Sequence, residues 1–172
     1  MSGYNQHPGI DFNEIFAPTA RWAALCTILA QRALSGAHIE SIDISNAYLN
    51  GILDETTTIF MDQPEGYHRG VNWVNKLKKG LYRLKQSGRL WYERLGNCLE
   101  GLGFKRLHSN SSVYIWTDDS TKVIIPVFVN DLTIVSNSKE ELDRIKKRLA
   151  EVFKLKDLGP ITDLLGIEIN YD

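Results

Sequence analysis

Apolar and polar positions follow two periods along this chain, and the densest apolar stretch is Val123-Ile-Ile-Pro-Val-Phe-Val-Asn-Asp-Leu-Thr-Ile-Val135. Its β-branched arms flank the polar pair Asn130-Asp131, which is the pattern of two buried strands joined by a tight turn. An acid between Val129 and Leu132 at such a tip is either solvated turn chemistry or put to use. A helix is expected from Pro18 to about Leu34, stopped by Ser35-Gly36, with Trp22, Leu25, Cys26, Leu29 and Leu34 nearly on one face. His38-Ile-Glu-Ser-Ile-Asp-Ile44 alternates as a strand, with Ile39 and Ser41 opposed to Glu40 and Ile42. Asp43 falls near its end, before a helical turn closed by Gly51. Short strands are expected at 57–61 and 73–77, on either side of a loop.

Ser87 is placed to cap a helix reaching about Leu102, with Trp91, Leu95, Cys98, Leu99 and Leu102 as its core stripe. Strands at 112–116 and 122–129 are joined through Thr117-Asp-Asp-Ser-Thr121, where Asp118-Asp119 reads as turn chemistry. Ser138-Lys-Glu-Glu141 is a capping box opening a helix to about Phe153, with Leu142, Ile145, Leu149 and Val152 inward. Residues 154–159 are expected to turn the chain, and Leu164-Leu-Gly-Ile-Glu-Ile169 to close it as a strand. Helices mixed with an antiparallel hairpin give the class α+β.

At 172 residues the chain suits one domain, and its net charge of -1 excludes a global basic field for nucleic acid. Any such partner needs a local patch. One exists: Lys76, Lys78, Lys79, Arg83, Lys85 and Arg89 fall in a segment without acids, interleaved with apolar residues. With no acid beside it in sequence, this run reads either as a solvated face or as a contact for phosphate. Cys26 and Cys98 are isolated in helix-like apolar stretches, which predicts buried free thiols in a reducing, intracellular compartment, cytoplasmic or nuclear. His7, His38, His68 and His108 lack ligand spacing. No apolar run is long enough to cross a membrane, so no membrane partner is expected.

Several blocks together resemble the Ty1/copia retrotransposon reverse transcriptase domain, in order and over essentially the whole chain. They are residues 4–21, Ile42-Asp-Ile-Ser-Asn-Ala-Tyr-Leu-Asn-Gly51, Met61-Asp-Gln-Pro-Glu-Gly66, Leu77-Lys-Lys-Gly-Leu-Tyr-Arg-Leu-Lys-Gln86, Lys156-Asp-Leu-Gly-Pro160 and Leu165-Gly-Ile-Glu-Ile169. The resemblance implies a right-hand polymerase fold: short fingers (about 1–37 and 57–88) interleaved with a palm (about 38–56 and 89–172) on a small antiparallel sheet backed by helices. It also implies RNA-directed DNA polymerase activity on a template-primer of RNA or DNA, with deoxynucleotide triphosphates as substrates. Two Mg²⁺ (or Mn²⁺) ions serve that chemistry in the family, roughly 3.5–4 Å apart, one at the attacking primer hydroxyl and one at the leaving pyrophosphate. Asp43 matches the first metal-binding aspartate, and the carbonyl of Ile44 is an accessory ligand. Tyr48 matches the aromatic beneath the incoming sugar, Gln86 a nucleotide-pocket glutamine, and Arg21 a fingers-side cation for the triphosphate. Lys156 matches a lysine that protonates departing pyrophosphate, with Lys154 as a rival.

The family's hairpin tip reads Tyr-Val-Asp-Asp; here it reads Phe128-Val129-Asn130-Asp131. Asp131 matches the second aspartate of the pair, while Asn130 stands where the bridging carboxylate belongs. An amide offers a neutral oxygen and cancels no cation charge. One missing unit charge near a metal, at an effective dielectric of about 20, is on the order of 4 kcal/mol, or about three powers of ten in affinity. The expectation is polymerisation severely reduced or absent, with metal binding weakened. Arg83 replaces a usual Gly, Gly88 a usual Pro, and Ser111-Ser112 departs as well. The other reading is a non-catalytic descendant kept as a nucleic-acid-binding or protein-interaction module. Two further expectations are that no thumb follows Asp172 and that the closing strand leaves an edge open to homodimer pairing.

Overall fold

The computed structural model describes residues 6–55, 57–164 and 166–169. In chain order these form α1 (Trp22–Ser35), β1 (His38–Ile44), α2 (Ala47–Asn50), β2 (Phe60–Met61), β3 (Asn75–Lys76), α3 (Ser87–Gly101) and β4 (Lys105–Leu107). Then follow β5 (Asn110–Thr117), β6 (Lys122–Phe128), β7 (Asp131–Ser136), α4 (Lys139–Val152), β8 (Leu155–Pro160), β9 (Asp163–Leu164) and β10 (Ile167–Glu168). The chain divides into two compact units, Met1–Ala17 with Asn46–Asn97, and Pro18–Ser45 with Cys98–Asp172. The class is α+β, as expected.

The larger unit is built on a six-stranded sheet in the order β4-β5-β6-β7-β1-β8, antiparallel at every pairing. Side chains alternate between its faces. Ile39, Val113, Ile124 and Val135 lie on one face and form a buried cluster with Leu25 and Ile28 of α1 and with Ile161 and Leu164. Ile42, Leu132 and Ile134 lie on the other face, together with Glu40, whose carboxylate bonds to Lys146 of α4. Burying each such aliphatic side chain contributes about 1.5–3 kcal/mol. Ser138 caps α4 by accepting from the amide of Glu141 at 3.2 Å.

Several expectations shift. Helix α1 begins at Trp22, and its buried residues are Leu25 and Ile28, with Ala24 and Leu29 partly covered; Trp22 and Leu34 are exposed. The covered arc is thus rotated from the expected stripe, which leaves Cys26 exposed; Cys98 is half-buried, so neither thiol is a core residue. Ser87 does not act as the cap of α3; its hydroxyl donates to the carbonyl of Leu81 and accepts from the amide of Leu81. In α4, Leu142, Ile145 and Leu149 point inward as expected, but Val152 is 45% exposed and Phe153 is buried in its stead. Asp118 takes the amides of Ser120 and Thr121 on its carboxylate, the turn chemistry expected of it.

Residues 154–159 are not a turn. Most of them form β8, which pairs along β1 with an irregularity between Ser41 and Ile42 that leaves Leu158 without a partner. The closing segment builds a separate β9–β10 hairpin, so the edges of the large sheet are β4 and β8. Leu165, in the middle of the expected closing strand, lies outside the described residues.

The smaller unit carries α2, the β2–β3 pair and most of α3, whose Trp91 and Leu95 are buried. The strands expected at 57–61 and 73–77 shorten to Phe60–Met61 and Asn75–Lys76, joined in register as Phe60↔Lys76 and Met61↔Asn75.

Candidate active site

The register of three strands builds the site. Asp43 of β1 is the cross-strand partner of Asp131 on β7 and of Lys156 on β8, so the three form one row on the same face of the sheet. That face also carries Ser41 and Thr133, since they are the next in-phase pair on β1 and β7. On the other side of Asp131 the row continues to Phe128 of β6, and a two-residue loop of Val129 and Asn130 links the strands. Val129 has φ 60, a left-handed conformation that a β-branched residue enters at a cost of about 1–3 kcal/mol.

Two bonds hold the loop against β1. The Ile44 amide donates to the main-chain carbonyl of Asn130 at 2.8 Å. The Asn130 side-chain amide donates to the Asp43 carboxylate. This orientation follows from the chemistry, because the opposite one would set the amide oxygen against the carboxylate oxygen. Asp131 sits beside them half-buried, and its carboxyl is raised above the usual value by burial and then by the negative charge of Asp43. Lys156, rather than Lys154, stands opposite Asp43, and its side chain is exposed.

Arg21 lies one residue beyond Ala20, whose amide donates to Val127 at 2.9 Å. That bond tethers the exposed Arg21 near the hairpin end of β6. A cavity of about 350 Å³ opens beside Asp131 on the same unit, lined by Ser41, Asp163, Thr162 and the apolar Leu158, Ile161 and Leu164. Neither Ser41 nor Asp163 is singled out by the sequence, though two-residue alternation puts Ser41 on the face of Asp43.

In the smaller unit Tyr48 stands on α2, and its ring meets Tyr82 edge-on, with centroids 4.9 Å apart. Gln86 is buried and committed: its amide donates to the carbonyl of Asp11, and its oxygen accepts from the side chain of Gln6 at 3.0 Å. Arg83 adopts φ 71, a left-handed conformation where glycine is at home, at about 1–2 kcal/mol of backbone strain. Lys76, Lys78, Lys79, Arg83 and Lys85 are exposed as the basic run predicts. Arg89 is not free of acids; it pairs with Glu14 and, at 2.9 Å, with Glu93. Those partners come from another segment and from the next helical turn, which the local run does not reveal.

Two aspartates and a lysine thus share one row at the hairpin end of the antiparallel sheet. The family described as reverse transcriptase (RNA-dependent DNA polymerase) matches residues 1–172, and the chain belongs to it. The relatives place it among the Ty1/copia-type domains. The retrovirus-related Pol polyprotein from transposon TNT 1-94 of Nicotiana tabacum is 34% identical over 98% of this chain, which covers 13% of that protein. The corresponding polyprotein from transposon RE1 of Arabidopsis thaliana is 34% identical over 96% of the chain and 11% of its own length. The putative transposon Ty5-1 protein of Saccharomyces cerevisiae is 34% identical over 75% of the chain and 42% of its own length. The chain therefore spans a minor part of the curated relatives it matches.

Reverse transcriptases generally use a divalent metal. The residues here do not fit a pair of such ions. Among the described residues no three carboxylate, thiol or imidazole side chains converge on one position. Where a third carboxylate would face Asp43, an N–H donor already bonds to it. No helix among the described residues is long and apolar enough to cross a membrane.

Proposed function

We propose that this chain is the fingers-and-palm portion of a copia-type reverse transcriptase that has inherited the nucleotidyl-transfer site and lost most of its capacity for polymerisation. The observation that carries the reading is the row Asp131–Asp43–Lys156 with the Asn130 amide bonded to Asp43. In the family, DNA synthesis along a template relies on a pair of cations; the carboxylates of Asp43 and Asp131 supply too little charge to hold both. The remaining machinery keeps its family roles. Lys156 delivers a proton toward departing pyrophosphate, Arg21 holds the triphosphate, and Tyr48 lies under the sugar with Tyr82 bracing its ring. The exposed Lys76, Lys78, Lys79, Arg83 and Lys85 contact template or primer phosphates. Gln86 acts on the nucleotide through the loop it pins to Gln6 and Asp11, since its own amide is engaged.

The test is primer extension on an RNA template with Mg²⁺ or Mn²⁺, beside an intact Ty1/copia reverse transcriptase. Extension about three powers of ten slower is expected from the missing unit charge. Turnover equal to that of the intact enzyme rejects the proposal.

A further inference from the structure

We infer that the Asn130 side chain takes over, in the folded protein, the structural work of a cation between the carboxylates of β1 and β7, so that this junction is stable without metal and has become indifferent to it. The inference rests on the family reading above and concerns the fold rather than catalysis. Asp43 and Asp131 are direct cross-strand partners, the placement in which like charges destabilise a sheet unless something positive lies between them. With a carboxylate at position 130, the tip would gather a third negative group against Asp43, more than the single cross-strand cation Lys156 offsets, and a bound cation would relieve the repulsion. With asparagine there, the amide N–H points at Asp43 and supplies the positive end of a dipole at that place. The same residue's carbonyl takes the amide of Ile44, so one side chain and one peptide group fasten the tip to the end of β1. Two such bonds also hold Val129 in its left-handed conformation, which would otherwise favour opening of the turn.

The test reads thermal unfolding of the whole chain in EDTA, Mg²⁺ and Mn²⁺, without nucleotide or template. The melting temperature of the unaltered chain is expected to be the same in all three. Asn130→Asp is expected to melt at least about 3 °C lower in EDTA and to regain the loss in Mn²⁺. The exchange Asp43→Asn with Asn130→Asp restores one amide and one carboxylate in contact, and should melt near the unaltered chain in EDTA. If Asn130→Asp does not fold in EDTA, its refolding in Mn²⁺ reads the same property. Stabilisation of the unaltered chain by Mn²⁺, Asn130→Asp as stable as the unaltered chain in EDTA, or Asn130→Asp unfolded in every condition would each overturn the inference. The outcome is separable from primer extension. Brisk extension by a chain whose fold ignores metal would sink the impaired-polymerase reading alone, while a metal-stabilised but inactive chain would sink this one alone.

Discussion

Glu40 and Asp43 belong to the same strand and face opposite sides of one sheet, and each meets a different kind of partner. Glu40 is buried on the face covered by α4, where Lys146 bonds to it and Lys139 approaches to 3.0 Å. Lys146 also reaches Asp157 of β8 at 2.5 Å, so one buried ammonium ties β1, α4 and β8 together. Asp43, on the opposite face, is met by an amide and by a second aspartate. The carboxyls register the contrast. Burial pushes Glu40 up, but the hydrogen bonds and charges of Lys146 and Lys139 pull it further down, to a net value below the usual range. Burial and Asp43 leave Asp131 above it. Glu40 is matched by full charges in direct contact, whereas Asp43 meets a neutral amide and a second aspartate, and that difference in partners sets the opposite shifts of Glu40 and Asp131.

The largest break in this comparison comes from the matched side. Lys146→Met removes the ammonium that Glu40 and Asp157 share and leaves Glu40 with Lys139 alone, and should cost up to about 3 kcal/mol in urea denaturation. Adding Glu40→Leu to that variant should recover much of the loss, because an unpaired buried charge is what costs most.

An effect of intermediate size separates the two sites by pH. Glu40 and Asp157 are both lowered, Asp157 because the Lys146 and Gly159 hydrogen bonds outweigh its burial. Their contribution is fully present above the ordinary carboxylate values and is lost as pH falls through their depressed folded values. Asp131 has the opposite sign: its raised value makes ionisation a cost above that value, and the cost disappears below the ordinary aspartate value. On acidification from neutrality, stability should therefore rise slightly before it falls. The smallest effect isolates the unmatched side: Asp131→Asn should abolish that rise and stabilise the protein at neutral pH by less than about 1 kcal/mol. A pH titration of the unfolding free energy for both variants checks the two arms.

What the sequence revealed was local. The strand of Asp43 and the β6–β7 hairpin were legible because short β-branched apolar runs bounded by polar turn residues mark strands even where both faces are buried. The resemblance singled out Asn130, Asp131 and Lys156; the register sets Asp131 and Lys156 beside Asp43, and a side-chain hydrogen bond brings Asn130 to it. The misses needed distant partners. The segment of β8 has the composition of a turn, because Lys156, Gly159 and Pro160 have low strand propensity, and its pairing with β1 is secured by a buried lysine on α4 that no periodicity announces. Arg89 looked unpaired until Glu14 came to it, and Gln86 looked available until Gln6 and Asp11 engaged it. That Asn130 points its donor at Asp43 depends on the geometry of a two-residue turn, beyond the reach of composition or spacing.

The most direct measurement is a Mn²⁺ titration of the isotopically labelled chain followed by paramagnetic broadening of backbone amide resonances. If the Asn130 amide holds the place of a cation, the amides of Ile44 and Leu132 should broaden no sooner than those of exposed acidic loops, and only in Asn130→Asp should they broaden first. Selective broadening of these two amides in the unaltered chain, at the lowest Mn²⁺ additions, would contradict it.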